Sequence, residues 1–145
     1  MFLGQYRHNL DSKDRLTIPA RYRELLADGA YVLQGFDRNL MVLTSNAYQA
    51  MAQRVNQMNL ADPLTRLLRR LVFSSASFVE VDKTGRILIP EFLRAFAEVD
   101  GDVVLNGAGT YFEIWSPAHW DEQLAQMGDT EANAHRFAIL DLSNE

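Results

Sequence analysis

Leu10-Asp11-Ser12-Lys13-Asp14-Arg15-Leu16-Thr17-Ile18-Pro19 returns 71 residues later as Val81-Asp82-Lys83-Thr84-Gly85-Arg86-Ile87-Leu88-Ile89-Pro90. Both stretches read apolar, Asp, three residues, Arg, apolar, any residue, Ile, Pro, and beyond them Arg23 recurs as Arg94. The match resumes at an offset of 72, with Tyr31-Val32-Leu33-Gln34-Gly35 against Val103-Val104-Leu105-Asn106-Gly107. It then runs through Leu40-Met41-Val42-Leu43 against Phe112-Glu113-Ile114-Trp115. The extra residue falls in a turn, where insertions are tolerated. Ordered matches on this scale make the chain a duplicated module.

Each copy reads strand, turn, strand, helix, strand, turn, strand, helix. His8-Asn9-Leu10 and Leu16-Thr17-Ile18 flank a polar turn and predict a hairpin. Pro19 fits a first helical position, and Tyr22, Leu25 and Leu26 share one face of a helix ending near Asp28-Gly29. Tyr31–Leu33 and Leu40–Leu43 predict a second hairpin, with Thr44 or Ser45 capping the next helix. The second copy repeats this with Pro90 and Ser116-Pro117, and Gly107-Ala108-Gly109 reads as a hairpin turn. Between the copies, Asp62-Pro63 opens a helix through Val72, whose Leu64, Leu67, Leu68 and Leu71 form an apolar stripe for packing. Arg66, Arg69 and Arg70 beside them read as a surface face rather than a second phosphate contact.

A copy of about 50 residues buries too little surface to be comfortably stable alone. The two are therefore expected to pair about a pseudo-two-fold axis, as a homodimer fused into one chain. The boundaries predicted are residues 1–50 for the first module, 51–74 for a helical linker and 75–127 for the second module. Residues 128–145 form an acidic, partly ordered tail, with Asp129, Glu131, Asp141 and Glu145 against Arg136.

The 145 residues are 48% apolar and 23% charged, which fits a globular chain and excludes intrinsic disorder. No apolar run approaches the roughly 18 residues of a membrane span, and Met1–Arg7 lacks a signal-peptide core, so a cytoplasmic protein without a membrane partner is expected. The absence of cysteine excludes disulfides, thiolate nucleophiles and Cys-ligated zinc. The net charge of −5 conceals a split. Residues 1–74 hold ten Lys/Arg and six Asp/Glu, whereas residues 75–145 hold four and thirteen. Such asymmetry points to nucleic acid or to assembly of unlike surfaces, although a solvated face gives the same count. His8, His119 and His135 have no metal-ligand spacing, and no nucleophile elbow, Walker loop or dinucleotide fingerprint occurs. No carboxylate pair stands out as acid and base. The expectation is no enzyme, no cofactor, no metal and no small-molecule substrate.

The repeated Asp-x-x-x-Arg turn carries the remaining chemistry. Its carboxylate can pair with the guanidinium or accept from the turn's own N–H groups, leaving the Arg and Lys13 or Lys83 to project from the loop. Arginine suits bidentate contact with phosphate or guanine. Equally, Asp11–Arg15 and Asp82–Arg86 can be structural ion pairs with no ligand.

Met1-Phe2-Leu3-Gly4, the stretch from Asp11 to Arg23, the one from Val81 to Pro90, Leu67–Phe73 before Ser74-Ser75-Ala76, and Phe112-Glu113-Ile114-Trp115 together resemble the MraZ family of bacterial transcriptional regulators. The likeness covers the chain to about Gly128. It implies an α+β fold, mainly β with short helices, built from two pseudo-symmetric AbrB-like swapped-hairpin β-barrel modules. It further implies a ring-shaped homo-oligomer, associated with the nucleoid, that binds double-stranded DNA at promoter repeats of the division and cell-wall gene cluster. The family's DNA-contacting arginine corresponds to Arg15 and, by motif match, to Arg86. Lys13, Lys83 and Arg7 are added as phosphate contacts on physical grounds, with Asp11 and Asp82 supporting the motif.

One position departs from the pattern: the family's Gly before the motif Arg is Gly85 in the second copy but Asp14 in the first. Aspartate tolerates positive φ less well than Gly, and its carboxylate opposes phosphate attraction. The first loop nevertheless has the more basic surroundings and is the expected contact. Two other classes stay open: an AbrB-like antitoxin or regulator acting mainly through a protein partner, and a scaffold whose turn arginines are only structural.

Overall fold

The strands on either side of each repeated turn pair across the duplication and not with each other. The computed structural model describes residues 1–142. The first copy comprises β1 (Gln5–Asn9), β2 (Arg15–Thr17), α1 (Ala20–Leu25), β3 (Ala30–Gln34), β4 (Leu40–Thr44) and α2 (Ser45–Asn56). α3 (Pro63–Arg69) and a π-helical turn (Arg70–Ser74) follow. The second copy holds β5 (Ser77–Val79), β6 (Arg86–Leu88), α4 (Glu91–Ala97), β7 (Asp102–Gly107), β8 (Tyr111–Trp115) and α5 (Pro117–Met127), and α6 (Thr130–Phe137) comes last.

The predicted hairpin of His8–Leu10 with Leu16–Ile18 is therefore corrected, since only the single bridge Leu10–Leu16 joins its arms. Instead β1 pairs antiparallel with β7, and β2 pairs antiparallel with β6. Five residues of β1 gain a full ladder on β7, whereas folding back on the three-residue β2 would offer less. This exchange is the swapped arrangement that the family resemblance implied. The six-stranded sheet runs β1-β7-β8-β4-β3-β5, a palindrome of equivalent strands. Its pseudo-axis passes between Met41 and Glu113, and between Leu16 and Ile87 in the ribbon of β2 and β6, each a pair of equivalent positions.

Alternation along the central strands sorts side chains to two faces. Val32, Leu40, Val42, Val103, Leu105, Phe112 and Ile114 face the ribbon, α1 and α4, and form the main core with Leu16, Ile18, Ile87 and Ile89. That core draws on both copies. On the other face Leu33, Met41 and Leu43 pack with Tyr48, Val55 and Val72, while Val104 packs with Trp115 and Trp120 of α5.

The helix starts follow their chemistry: Thr44, Asp62, Ser116 and Asp129 each accept a backbone N–H as N-cap. Pro19 and Pro90 are N-caps, one residue before the helical position expected of them. α1 ends earlier than expected, with Leu26 as its C-cap at φ −100°; Gly29 has positive φ, +91°, in the turn beyond it, and Leu25 is exposed rather than packed. The leucine stripe is also corrected. Thr65 and Val72 are buried and Leu68 and Leu71 half-buried, whereas Leu64 and Leu67 are 73% and 61% exposed. The buried face sits one residue later than the leucine pattern, because Tyr48 Oη bonds the Val72 carbonyl and Arg69 bonds Asn56. The segment after Gly128 is helical as α6, and Glu145 of the predicted tail lies outside the described residues. Among the described residues no helix is long and apolar enough to cross a membrane.

Candidate nucleic-acid interface

The two repeated turns flank the outer face of the β2–β6 ribbon. Leu16 and Ile87 point into the core, so Arg15, Thr17, Arg86 and Leu88 point outward. Each turn is an Asx-type loop closed by its aspartate. Asp11 Oδ1 accepts from the N–H groups of Lys13 and Arg15, both at 2.9 Å, and Oδ2 accepts from Arg15 Nε at 2.8 Å. Asp82 repeats this with the N–H groups of Thr84 and Arg86, adds the Thr84 hydroxyl, and takes Arg86 Nε at 3.1 Å. Arg86 Nη1 also lies 3.4 Å from Asp11 Oδ2, which ties the two loops together across the axis.

The aspartates are held ionised by this geometry. Asp82 is pushed down to about 2, first by the Arg86 N–H and then by the hydroxyl and N–H of Thr84. Asp11 is lowered too, first by the Arg15 N–H. A depressed native value means that the stabilisation is fully present above the unfolded carboxylate pKa of about 4 and is lost as pH falls towards 2. Asp82→Asn is therefore expected to lower stability at neutral pH and to flatten the fall in stability between about pH 4 and 2. Urea denaturation at stepped pH measures both.

The position before each motif arginine has positive φ, +59° at Asp14 and +82° at Gly85. A Cβ at Gly85 would lie 2.4 Å from Arg23 Cζ, so the Arg23 guanidinium would have to shift to admit one, while the positive φ favours glycine there. Around Asp14 the equivalent arginine, Arg94, forms an ion pair instead, Nη1 to Oδ1 at 3.2 Å. The Asp14 carboxylate is thus partly neutralised by Arg94, which answers the departure seen in the sequence. Arg23 and Arg94 further bond the carbonyls of Ile18 and Ile89. Sequence reasoning missed these two bonds, although the recurrence of Arg23 as Arg94 was their signal.

Of the site residues named from sequence, the ribbon brings together Arg15, Arg86, Asp11 and Asp82, with Lys13 and Lys83 exposed on the loops. Lys13 and Lys83 have no ion-pair partner among the described residues. Arg7 does not join them. It pairs with Val104 in the β1–β7 register, on the sheet face that α5 covers, and lies 3.8 Å from Asp121. Among the described residues no group of three or more His, Asp or Glu is placed to hold a metal ion.

A family model described as "MraZ protein, putative antitoxin-like" matches residues 1–71 and again residues 72–140. A protein of Roseiflexus castenholzii named "Transcriptional regulator MraZ" is 44% identical over 138 residues, covering 95% of this chain and 94% of its own. Proteins of the same name from Thermomicrobium roseum and Desulforamulus reducens are 42% and 40% identical. They cover 97% and 98% of this chain, and 99% of their own length in each case.

Proposed function

Because this chain belongs to the MraZ family, we propose that it is a DNA-binding transcriptional regulator that reads promoter DNA with the outer face of its β2–β6 ribbon. Relatives covering almost the whole chain carry the name of transcriptional regulator. The observation that carries the assignment to the ribbon is the pseudo-two-fold presentation on one face of two loops that each offer an exposed lysine beside an outward-facing arginine. A duplex has two-fold symmetry of its own, and a two-stranded ribbon fits the major groove. Lys13 and Lys83 supply phosphate contacts. Arg15 and Arg86 keep Nη donors beyond the Nε held by the aspartates, and Arg15, without the second carboxylate that engages Arg86, is the better base reader. Arg7, on the opposite sheet face, makes at most a separate contact.

Part of the acidic character of the second half sits in the other layer, with Asp121, Glu122, Asp129 and Glu131 on or beside α5 and α6, while Asp82 and Glu91 lie with the ribbon's layer. A ring of protomers would then offer many modest loops on one side, and DNA with spaced repeats gains avidity from engaging several. On this reading the protein works in the cytoplasm, on the nucleoid.

Fluorescence anisotropy with DNA from upstream of the protein's own gene, against scrambled DNA, tests this. Arg15→Ala is expected to erase the preference for the specific sequence, at about 1–3 kcal/mol per contact, with a smaller loss for Arg86→Ala. Because both arginines hold their turns, each variant is compared at matched thermal stability. An assembled, folded wild type that ignores DNA but retains a protein partner on purification would favour the antitoxin-like reading instead.

A further inference from the structure

The exposed apolar residues of the two copies are not equivalent, and the charged residues interspersed with them are of opposite sign. α3 follows α2 in the first copy as α6 follows α5 in the second, so the two are corresponding arms of the pseudo-symmetric body. α3 and its π-turn leave a groove of about 340 Å³ lined by Leu67, Arg70, Leu71 and Phe92, with Leu64 exposed beside it. Leu67 and Phe92 are 61% and 53% exposed. Between residues 62 and 70 three arginines face only Asp62. The opposite arm leaves Phe137, Ile139, Leu140 and Leu142 exposed by 50–87%. Between residues 129 and 142 three carboxylates face Arg136.

We propose that the groove beside α3 is the docking site for the C-terminal segment of a second copy, with Ile139, Leu140 and Leu142 of one protomer seated on Leu67 and Phe92 of the next. Charge complementarity selects this occupant: a basic, apolar groove meets an acidic, apolar segment of similar length. Like arms are mismatched, since a symmetric contact would bring arginines to arginines or carboxylates to carboxylates. The contact is therefore heterologous, each protomer giving a tail and receiving one, and a chain of such contacts closes into a ring when the rotation allows. The inference rests on the self-assembly in the proposed function and assigns the surfaces that perform it. α3 lies on the other side of the sheet from the DNA ribbon, and the groove reaches the ribbon's layer at Phe92 of α4.

The test uses full-length protein and light scattering after size exclusion. Ile139→Asp with Leu142→Asp breaks the tail, and Leu67→Asp breaks the groove. These residues are exposed, so circular dichroism is expected to match wild type. Each variant is expected to run as a monomer at concentrations where wild type assembles, with association weakened at least tenfold. Mixed, the two are expected to form a dimer and nothing larger, through the one intact tail and the one intact groove. Folded variants that still assemble like wild type, or a mixture that stays monomeric, would overturn the docking site. If wild type itself is monomeric, ring and docking fall together. If wild type and the folded variants assemble alike, the ring stands without this contact, and DNA binding by anisotropy reports on the regulator reading independently.

Discussion

Replacing Lys13 and Lys83 together by glutamate is expected to weaken DNA binding by about a hundredfold or more near 0.1 M salt while leaving the fold unchanged. The turns owe nothing to these side chains. Asp11 uses only the backbone N–H of Lys13, and Asp82 reaches past Lys83 to Thr84 and Arg86. Each reversal deletes a phosphate attraction and adds a repulsion. Because both lysines of a protomer stop neutralising phosphate, the slope of log affinity against log salt falls by about two for each engaged protomer. Avidity compounds the effect when several protomers bind one DNA. Anisotropy at four salt concentrations measures the slope, and thermal melts confirm that the melting temperature moves little. A double variant that binds like wild type would remove the ribbon as the DNA surface.

The second large effect concerns the N-terminus. Phe2 is 2% exposed and sits in a ring cluster with Tyr22 at 4.9 Å and Phe112 at 5.2 Å. Its backbone is sewn to Gly109 by two hydrogen bonds, and Gly4 O accepts from Gly107 N. Phe2→Ala is expected to cost about 3–5 kcal/mol through lost burial and the cavity left behind. Gly107→Ala attacks the same segment from the other side. Its Cβ would meet the Phe2 carbonyl oxygen at 2.3 Å and Leu3 N at 2.4 Å, both backbone atoms that cannot swing aside. The segment must lift away, and Phe2 leaves its pocket with it. Both variants are expected to lower the melting temperature by roughly 10 °C. The double variant is expected to lose far less than the sum, since the second change removes what the first already released. Calorimetry on the four proteins gives that cycle.

The duplication, the two loops and the second hairpin of each copy were legible because they are local or repetitive. Asp-x-x-x-Arg specifies its own turn within five residues, and the N-caps at Thr44, Asp62 and Ser116 depend on immediate neighbours. The partners of β1 and β2 were not legible from periodicity, because alternation says which face a side chain takes and nothing about which strand lies alongside; family resemblance supplied the exchange. The leucine stripe misled for a related reason. Leu64 and Leu67 satisfy helical spacing, but Thr65 and Val72 face the body because α3 is rotated by contacts to Tyr48 and Asn56. At the candidate site, the sequence identified the Asp-x-x-x-Arg residues that meet on the ribbon. It could not place Arg7, whose strand sends it to the far face, nor show that Asp14 is answered by Arg94.

The exchange of strands sets a timetable for synthesis. Gln5 pairs with Asn106, so β1 has no ladder until about 100 further residues have been made. At about 5–20 residues per second β1 waits on the order of 5–20 s for its partner strand. The nascent first copy meanwhile resembles the second closely enough to accept one from a neighbouring polysome in place of its own. Fusing both copies into one chain keeps the right partner at high local concentration, so the tether between them guards against chain-to-chain mispairing during translation.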